Sequence, residues 1–278
     1  MAIVAQETKL GTFGRPVLAW GIGLLFFFPI FWLVLTSFKT DADAVKPEFL
    51  FTFAPTLENY LNMTENYDYW RFAINSVITS VFATAFALFV GIPSAYAMAF
   101  NPSRRTKDVL MWMLSTKMLP AAAVLYPMTF LTKNFLGIYD THFLLILVLC
   151  LINLPIVIWM LFTYFKEIPK EIIEAGQMDG VNTWGEIKEI LIPLAWGGIA
   201  STALLCFIFC WNEAYWTVRL TPTDAATLSK LIEGNRAPEG LFFGRLSAVS
   251  TAAVGPIVIL GWFCQKQLVQ GLTFGAVK

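Results

Sequence analysis

Residues 142–165 read HFLLILVLCLINLPIVIWMLFTYF, and this stretch decides the fold because it contains no Asp, Glu, Lys or Arg. A helix needs about 20 apolar residues to cross the roughly 30 Å of hydrocarbon in a membrane. The stretch is continuously apolar, whereas the strands of a membrane β-barrel alternate polar and apolar side chains. It therefore predicts a transmembrane helix.

Five other runs between charged residues have the same character, although Lys117 shortens one of them. Together they predict six crossings, near residues 17–37, 72–99, 108–131, 142–165, 194–218 and 246–268. Composition agrees, since 57% of the residues are hydrophobic and only 14% are charged, which is too apolar for a chain folded in water.

The expected fold is an all-α, polytopic membrane protein with three parts. A cytoplasmic N-terminal segment (1–16) precedes a domain of six transmembrane helices (17–268), and a cytoplasmic tail (269–278) follows it. The first apolar run has no small-residue cleavage site after it, so we interpret it as a retained membrane anchor and not as a removable signal peptide.

The distribution of charge predicts the orientation. Arg104, Arg105 and Lys107 crowd the short connection after the second crossing, and short basic connections stay in the cytoplasm. With six crossings, both termini are then cytoplasmic, and the acidic loop 38–71 lies outside. The loop that holds Arg219, Lys230, Arg236 and Arg245 is also placed outside by this topology. The orientation therefore rests mainly on the second connection.

The connection after the fourth crossing is polar and acidic: residues 169–194 read PKEIIEAGQMDGVNTWGEIKEILIPL. Pro169 suits a first helical turn, Glu171 and Glu174 suit the positive end of a helix dipole, and Gly180 can end a helix in the left-handed conformation. A helix of two to three turns is too short to be stable alone in water, so it needs a partner surface. A helix that rests on lipid headgroups would carry Lys and Arg instead.

Four polar residues fall within or at the ends of predicted crossings, and they are candidates for a translocation path: Lys117, Asn153, Asn212 and Glu213. Polar groups at such positions usually face a cavity or a partner. The alternative is structural. Asn153 would satisfy backbone groups at a kink made by Pro155, and Lys117 and Glu213 would reach solvent near an interface.

The acidic connection carries a family resemblance. Glu174, Ala175, Gly176, Asp179 and Gly180 form the pattern E-A-x-x-x-D-G, with Pro193 thirteen residues after Gly180. This pattern resembles the EAA loop of permease subunits in ATP-binding-cassette importers. Further similarity lies in 75–76 (NS), 95–99 (AYAMA), 211–213 (WNE) and the ending 268–278 (LVQGLTFGAVK). From about residue 72 onward, the chain resembles permeases of binding-protein-dependent carbohydrate importers, on the maltose permease G branch.

The resemblance implies a bacterial inner-membrane subunit that forms half of a translocation pathway for a sugar or sugar alcohol, with polyols such as sorbitol or mannitol as the most similar case. It implies a second permease, usually a different chain, two copies of an ATPase, and an extracytoplasmic solute-binding protein. The loop 166–193 would couple to the ATPase through Glu174, Ala175, Gly176, Asp179 and Gly180. ATP would bind to the partner ATPase, and this chain would hold no cofactor.

Other function classes find less support in the residues. The phosphate-binding pattern G-x-x-x-x-G-K-[ST] is absent, and His142 is the only histidine, so neither ATP hydrolysis nor a histidine-based catalytic site is expected. Cys206 and Cys210 share a helix face but lack nearby ligands for a metal site. An importer of a non-carbohydrate solute remains the main alternative, followed by a secondary transporter, which would need matched repeats with broken helices.

Overall fold

The computed structural model describes residues 9–46, 51–236 and 242–273. Predictions that concern residues 1–8 and the end of the tail, 274–278, lie outside this part of the chain. The first eight described helices, in chain order, are α1 Lys9–Ser37, α2 Asp41–Ala44, α3 Glu58–Asn66, α4 Tyr69–Phe100, α5 Thr106–Thr116, α6 Ala121–Asn134, α7 His142–Phe165 and α8 Lys170–Met178. They are followed by α9 Thr183–Gly185, a π-helix Glu186–Leu191, α10 Ile192–Leu194, α11 Trp196–Trp211, α12 Tyr215–Leu220, α13 Leu228–Gly234 and α14 Phe243–Thr273.

Four helical segments are individually long and apolar enough to cross a membrane. They are Gly14–Ser37 within α1, all of α4, all of α7, and Phe243–Gln265 within α14. Two further crossings are possible if each of two bent helix pairs counts as one span. The expected all-α fold with up to six crossings is confirmed, but two of the crossings are not the straight helices that the sequence predicts.

The third predicted crossing, 108–131, is broken in the middle. Helices α5 and α6 meet at 86° across residues 117–120. Pro120 has no N–H to continue a helix and disfavours helical geometry in the residue before it. The charged side chain of Lys117 lies at the same break. The hydropathy of this run therefore predicts its location correctly but not its shape.

The fifth predicted crossing, 194–218, is also interrupted at both ends. Its straight part, α11, has 16 residues and meets the preceding segment Thr183–Leu194 at 85°. At the other end α11 stops at Trp211, and α12 begins after Asn212, Glu213 and Ala214. The predicted crossing to residue 218 is therefore not one continuous helix, because a break separates α11 from α12.

The chain folds as two compact units. The first contains residues 1–67 and 234–254. Within it, the Asn59 amide donates to the carbonyls of Ser37 and Lys39 at 3.0 and 2.7 Å, which ties α3 to the end of α1. The backbone N–H of Arg245 donates to Asp41 at 3.1 Å, and the Arg245 guanidinium donates to the Tyr67 hydroxyl at 2.5 Å.

The second unit contains residues 68–233 and 255–278, and its core is the packing of α4 against α7, with α11 against both. Small residues at every fourth position of α4 allow this close approach: Ala83, Ala87, Gly91 and Ala95. A Cβ at Gly91 would lie 2.8 Å from Cγ1 of Val157 on α7. Cys206 and Cys210 of α11 are buried in the same core.

The end of the second unit where α4 and α7 begin is closed by a hydrogen-bonded loop. The Asp140 carboxylate accepts from the backbone N–H groups of Thr223, Asp224 and Ala225, and also from the Thr223 hydroxyl. The Asn75 amide donates to the carbonyls of Asp224 and Ala226 at 3.1 and 2.9 Å. These bonds hold the residues between α12 and α13 against the helix ends.

Candidate functional site

Helix α8 lies between α7 and the π-helix and has a well-defined start and end. Pro169 immediately precedes its first helical residue, and Glu171 lies in its first turn. Gly180 has a φ of +80°, and the N–H groups of Gly180 and Val181 donate to the carbonyls of Gln177 and Gly176, each at 3.0 Å. This is a Schellman motif, in which glycine avoids the strain of a left-handed conformation. The predicted short helix ending at Gly180 is confirmed.

One face of α8 is buried within the second unit. Ile173 and Gly176 are buried, and a Cβ at Gly176 would lie 2.5 Å from Cδ1 of Ile190 in the π-helix. The absence of a side chain at position 176 therefore serves a contact inside this chain. Gly176 is one of the five residues that the family resemblance assigns to ATPase coupling, and the structure places it on the buried face of α8.

The opposite face of α8 is exposed. It carries the other four predicted coupling residues, which are Glu174, Ala175, Asp179 and Gly180. Met178 lies beside them and is 88% exposed. Such a large apolar side chain, flanked by two carboxylates and two small residues, forms a compact surface on which another protein can pack closely. We call these five residues the α8 face.

A buried carboxylate connects the segment after α8 to the transmembrane core. Glu186, the first residue of the π-helix, is only 3% exposed, and it accepts a hydrogen bond from the Tyr96 hydroxyl near the end of α4. Asn182 caps the turn before it by accepting from the N–H of Gly185 at 2.8 Å. Sequence reasoning missed Glu186, because its neighbours Lys188 and Glu189 made it look like part of a solvated polar face.

The four polar residues predicted for a translocation path come together. Lys117, Asn153, Asn212 and Glu213 all line one cavity of about 510 Å³. The breaks in the third and fifth crossings place three of them there, since Lys117 follows α5, and Asn212 and Glu213 follow α11. Leu114, Ile152, Ile156 and Phe209 supply its apolar walls.

Hydrogen bonds organise the polar side of this cavity. The Lys117 ammonium donates to Oδ1 of Asn153 at 3.3 Å and lies 5.9 Å from the centre of the Phe209 ring. Asn153 is 2% exposed, and its amide nitrogen donates to the carbonyl of Leu149 at 2.9 Å. Pro155 has no N–H, so it leaves the carbonyl of Leu151, four residues earlier, without its usual helical donor. The Asn153 amide donates to Leu149, which is a different group, so it does not replace the bond that the proline removes.

Glu213 has a structural role at the cavity's edge. Its Oε1 accepts from the N–H groups of Tyr215 and Trp216 at 2.8 and 3.2 Å, so the carboxylate caps the start of α12. Asn212 is exposed, and its amide donates to the carbonyl of Ile208 in α11 at 2.9 Å. Lys117 and Asn212 thus present donors to the cavity, with an aromatic ring beside them, which suits a neutral polyhydroxylated solute or one with an acidic group.

The chain is similar to known transport proteins over most of its length. The family described as "Binding-protein-dependent transport system inner membrane component" matches residues 88–273. The chain is 28% identical to the sulfoquinovosyl glycerol transport system permease protein SmoH of Agrobacterium fabrum, over all of both chains. It is 29% identical to the trehalose/maltose transport system permease protein MalG of Thermococcus litoralis, over 92% of this chain and 93% of that protein.

A solved structure shares the fold. It is the crystal structure of a bacterial ABC transporter involved in the import of the acidic polysaccharide alginate, with a TM-score of 0.76 and 21% identity, covering 96% of this chain and 99% of that one. The family match spans α7, α8 and the segments that form the polar cavity. The chain therefore belongs to the family of inner-membrane components of binding-protein-dependent transport systems.

Proposed function

We propose that this chain is a permease subunit of an ATP-driven importer for a sugar or sugar alcohol and that the α8 face docks on the ATPase. The observation that carries the proposal is the exposed set Glu174, Ala175, Met178, Asp179 and Gly180 on a short helix whose other face is fixed to the membrane core. A helix held in this way can transmit displacement, because its base packs on the π-helix and, through Glu186, on α4.

The polar cavity is the proposed part of the translocation path that this chain contributes. Closure of an ATPase dimer would move α8, and α8 would move the π-helix and α11. Since α11 ends at the cavity, this movement changes access to Lys117, Asn153, Asn212 and Glu213. A second permease, an ATPase dimer and an extracytoplasmic binding protein complete the proposed importer. Both termini would be cytoplasmic, and the chain itself would hydrolyse no ATP and bind no cofactor.

The carbohydrate cargo is supported by relatives named for sulfoquinovosyl glycerol and for trehalose and maltose. Donors beside an aromatic ring in the cavity are consistent with hydroxyl-rich solutes, among which we propose polyols such as sorbitol and mannitol. A non-carbohydrate solute is the alternative cargo, and an ion-driven carrier is the alternative mechanism.

The test is reconstitution of this chain into vesicles with its partner permease, ATPase and binding protein. Labelled maltose, trehalose, sorbitol and mannitol are then supplied with and without ATP, with a labelled amino acid for comparison. We expect uptake of at least one carbohydrate only when ATP is present, and loss of that uptake in Glu174→Arg. A Glu189→Arg variant is the control, since Glu189 is an exposed carboxylate in the π-helix and does not belong to the α8 face. Uptake of the amino acid alone would refute the cargo, and uptake driven by an ion gradient without ATP would refute the mechanism.

A further inference from the structure

A second cavity, of about 480 Å³, lies away from the polar cavity, where three helix ends meet. Helix α4 ends there at Phe100, α5 begins at Thr106, and α7 ends at Phe165. All of these helices belong to the second unit. Since α4 and α7 are each long and apolar enough to cross a membrane, we expect the ends of these helices to lie near one membrane surface, with the cavity at that level. We call it the basic cleft, for the residues at its rim.

The wall of the basic cleft is apolar. It is formed by Met98, Leu110, Met111, Trp159 and Phe162. Trp159 precedes the end of α7 by six residues, which corresponds to about 9 Å along a helix. The wall therefore reaches from the membrane surface to a depth at which lipid carbonyl groups and the first methylene groups of acyl chains lie.

The rim of the basic cleft is positively charged. Arg104, Lys107, Lys166 and Lys170 line it, and all four are exposed. Among the residues that the structure describes, no acidic side chain lines the cleft. Asp108 and Glu167 are neighbours of Lys107 and Lys166 in sequence, yet in the described part of the chain neither lies within 4 Å of a basic rim nitrogen. The Lys166 ammonium lies 5.3 Å from the centre of the Phe162 ring, so the cationic rim and the apolar wall adjoin.

We propose that the basic cleft binds an anionic phospholipid. The phosphate group would lie among the four cationic side chains, and an acyl chain would lie along Met111, Trp159 and Phe162. Basic pockets at the ends of membrane helices bind anionic headgroups, and each nearby Lys or Arg adds about 1 kcal/mol of attraction. A free phosphate ion would gain nothing from the apolar wall, whereas a lipid uses both the rim and the wall.

The experiment is native mass spectrometry of the full chain in detergent, titrated with phosphatidylglycerol or with phosphatidylcholine of the same acyl chains. We expect phosphatidylglycerol to bind preferentially. The double variant Lys107→Gln/Lys166→Gln should weaken its binding by about 25-fold, since each basic side chain near the surface contributes roughly fivefold. The control is Lys133→Gln/Arg219→Gln. Lys133 and Arg219 are also exposed and also lie over aromatic rings, at 5.7 and 6.0 Å from their centres, but they do not line the cleft.

A second variant tests the wall without changing charge. Met111 is 55% exposed, so Met111→Trp can fill the cleft at little cost to folding, and it should reduce phosphatidylglycerol binding while leaving the four cations in place. Equal binding of the two lipids, or equal effects of the two double variants, would overturn the proposal. The proposal would also be overturned if the Lys107→Gln/Lys166→Gln complex lost its ATPase during purification while the lipid preference stayed unchanged. That outcome would identify the cleft as a protein interface. These readouts do not depend on transport, so failure here is distinguishable from failure of the proposed function.

Discussion

Gly176 and Ile190 are in such close contact that a Cβ at position 176 would lie 2.5 Å from Cδ1 of Ile190. This contact seats α8 on the π-helix and leaves Glu174, Ala175, Asp179 and Gly180 exposed on the other side. The size of the residue at position 176 therefore controls the position of the α8 face.

Substitution at position 176 should depend steeply on side-chain size. In Gly176→Ala only the end of the flexible Ile190 side chain must move, and alanine favours a helix by about 1 kcal/mol over glycine, so we expect uptake to be retained. In Gly176→Leu the side chain has no space and would displace α8. Because displacement of a positioned group commonly lowers a rate by this factor, we expect uptake to fall by about tenfold or more. The measurement is ATP-dependent uptake at equal membrane expression. Gln177→Leu, on an exposed position of the same helix, is the matched control, and normal uptake by Gly176→Leu would show that the contact does not position α8.

The Tyr96 and Glu186 pair should contribute to stability as a unit. Tyr96→Phe removes the donor and leaves a carboxylate that is 3% exposed without that bond, which costs about 1–3 kcal/mol. We expect a lower midpoint of thermal unfolding in detergent for Tyr96→Phe and for Glu186→Leu. The decrease in this midpoint for the double variant should be smaller than the sum of the decreases for the two single variants, because the interaction between the two residues is lost only once. Tyr126→Phe, at a position that is 78% exposed, should have no effect. Strict additivity would show that the two residues do not interact energetically.

Lys117 should affect solute recognition more than assembly. Its ammonium faces the polar cavity and bonds to Asn153, and a hydrogen bond from a charged group contributes about 1.5–3 kcal/mol. We therefore expect Lys117→Met to raise the KM for uptake by about tenfold or more, with the ATPase still bound. The same change at Lys133, which is exposed but does not line this cavity, should leave the KM unchanged. An unchanged KM in Lys117→Met would favour the alternative that this lysine only reaches solvent.

The orientation can be tested with single cysteines. In a background where Cys264 is replaced by serine and the buried Cys150, Cys206 and Cys210 are retained, Arg104→Cys should react with a membrane-impermeant maleimide only from the cytoplasmic side. Lys133→Cys, near the other end of the α5 and α6 pair, should react only from outside. Both positions are exposed, so access to the reagent is comparable. The reverse pattern would invert the proposed topology.

Much of the fold follows from local sequence. A run such as 142–165 is a single uninterrupted helix because hydrocarbon requires every backbone group to be bonded within the segment. The end of α8 is equally local, since Gly180 adopts a φ of +80° that other residues rarely tolerate. The pattern from Glu174 to Gly180 also led to the correct family, which the match over residues 88–273 confirms.

The sequence by itself determined which segments are apolar helices, where the short polar helix begins and ends, and which family the chain belongs to, because periodicity, charge and glycine conformation act over a few residues. Only the tertiary structure decided that Lys117, Asn153, Asn212 and Glu213 share one cavity, that Gly176 faces Ile190, and that Glu186 is buried against Tyr96. These relationships depend on helix bends of 86° and 85° and on the packing of residues far apart in the chain. Hydropathy measures the free energy of transferring each residue from water to an apolar environment. It contains no information about which side chains, distant in sequence, will pack together.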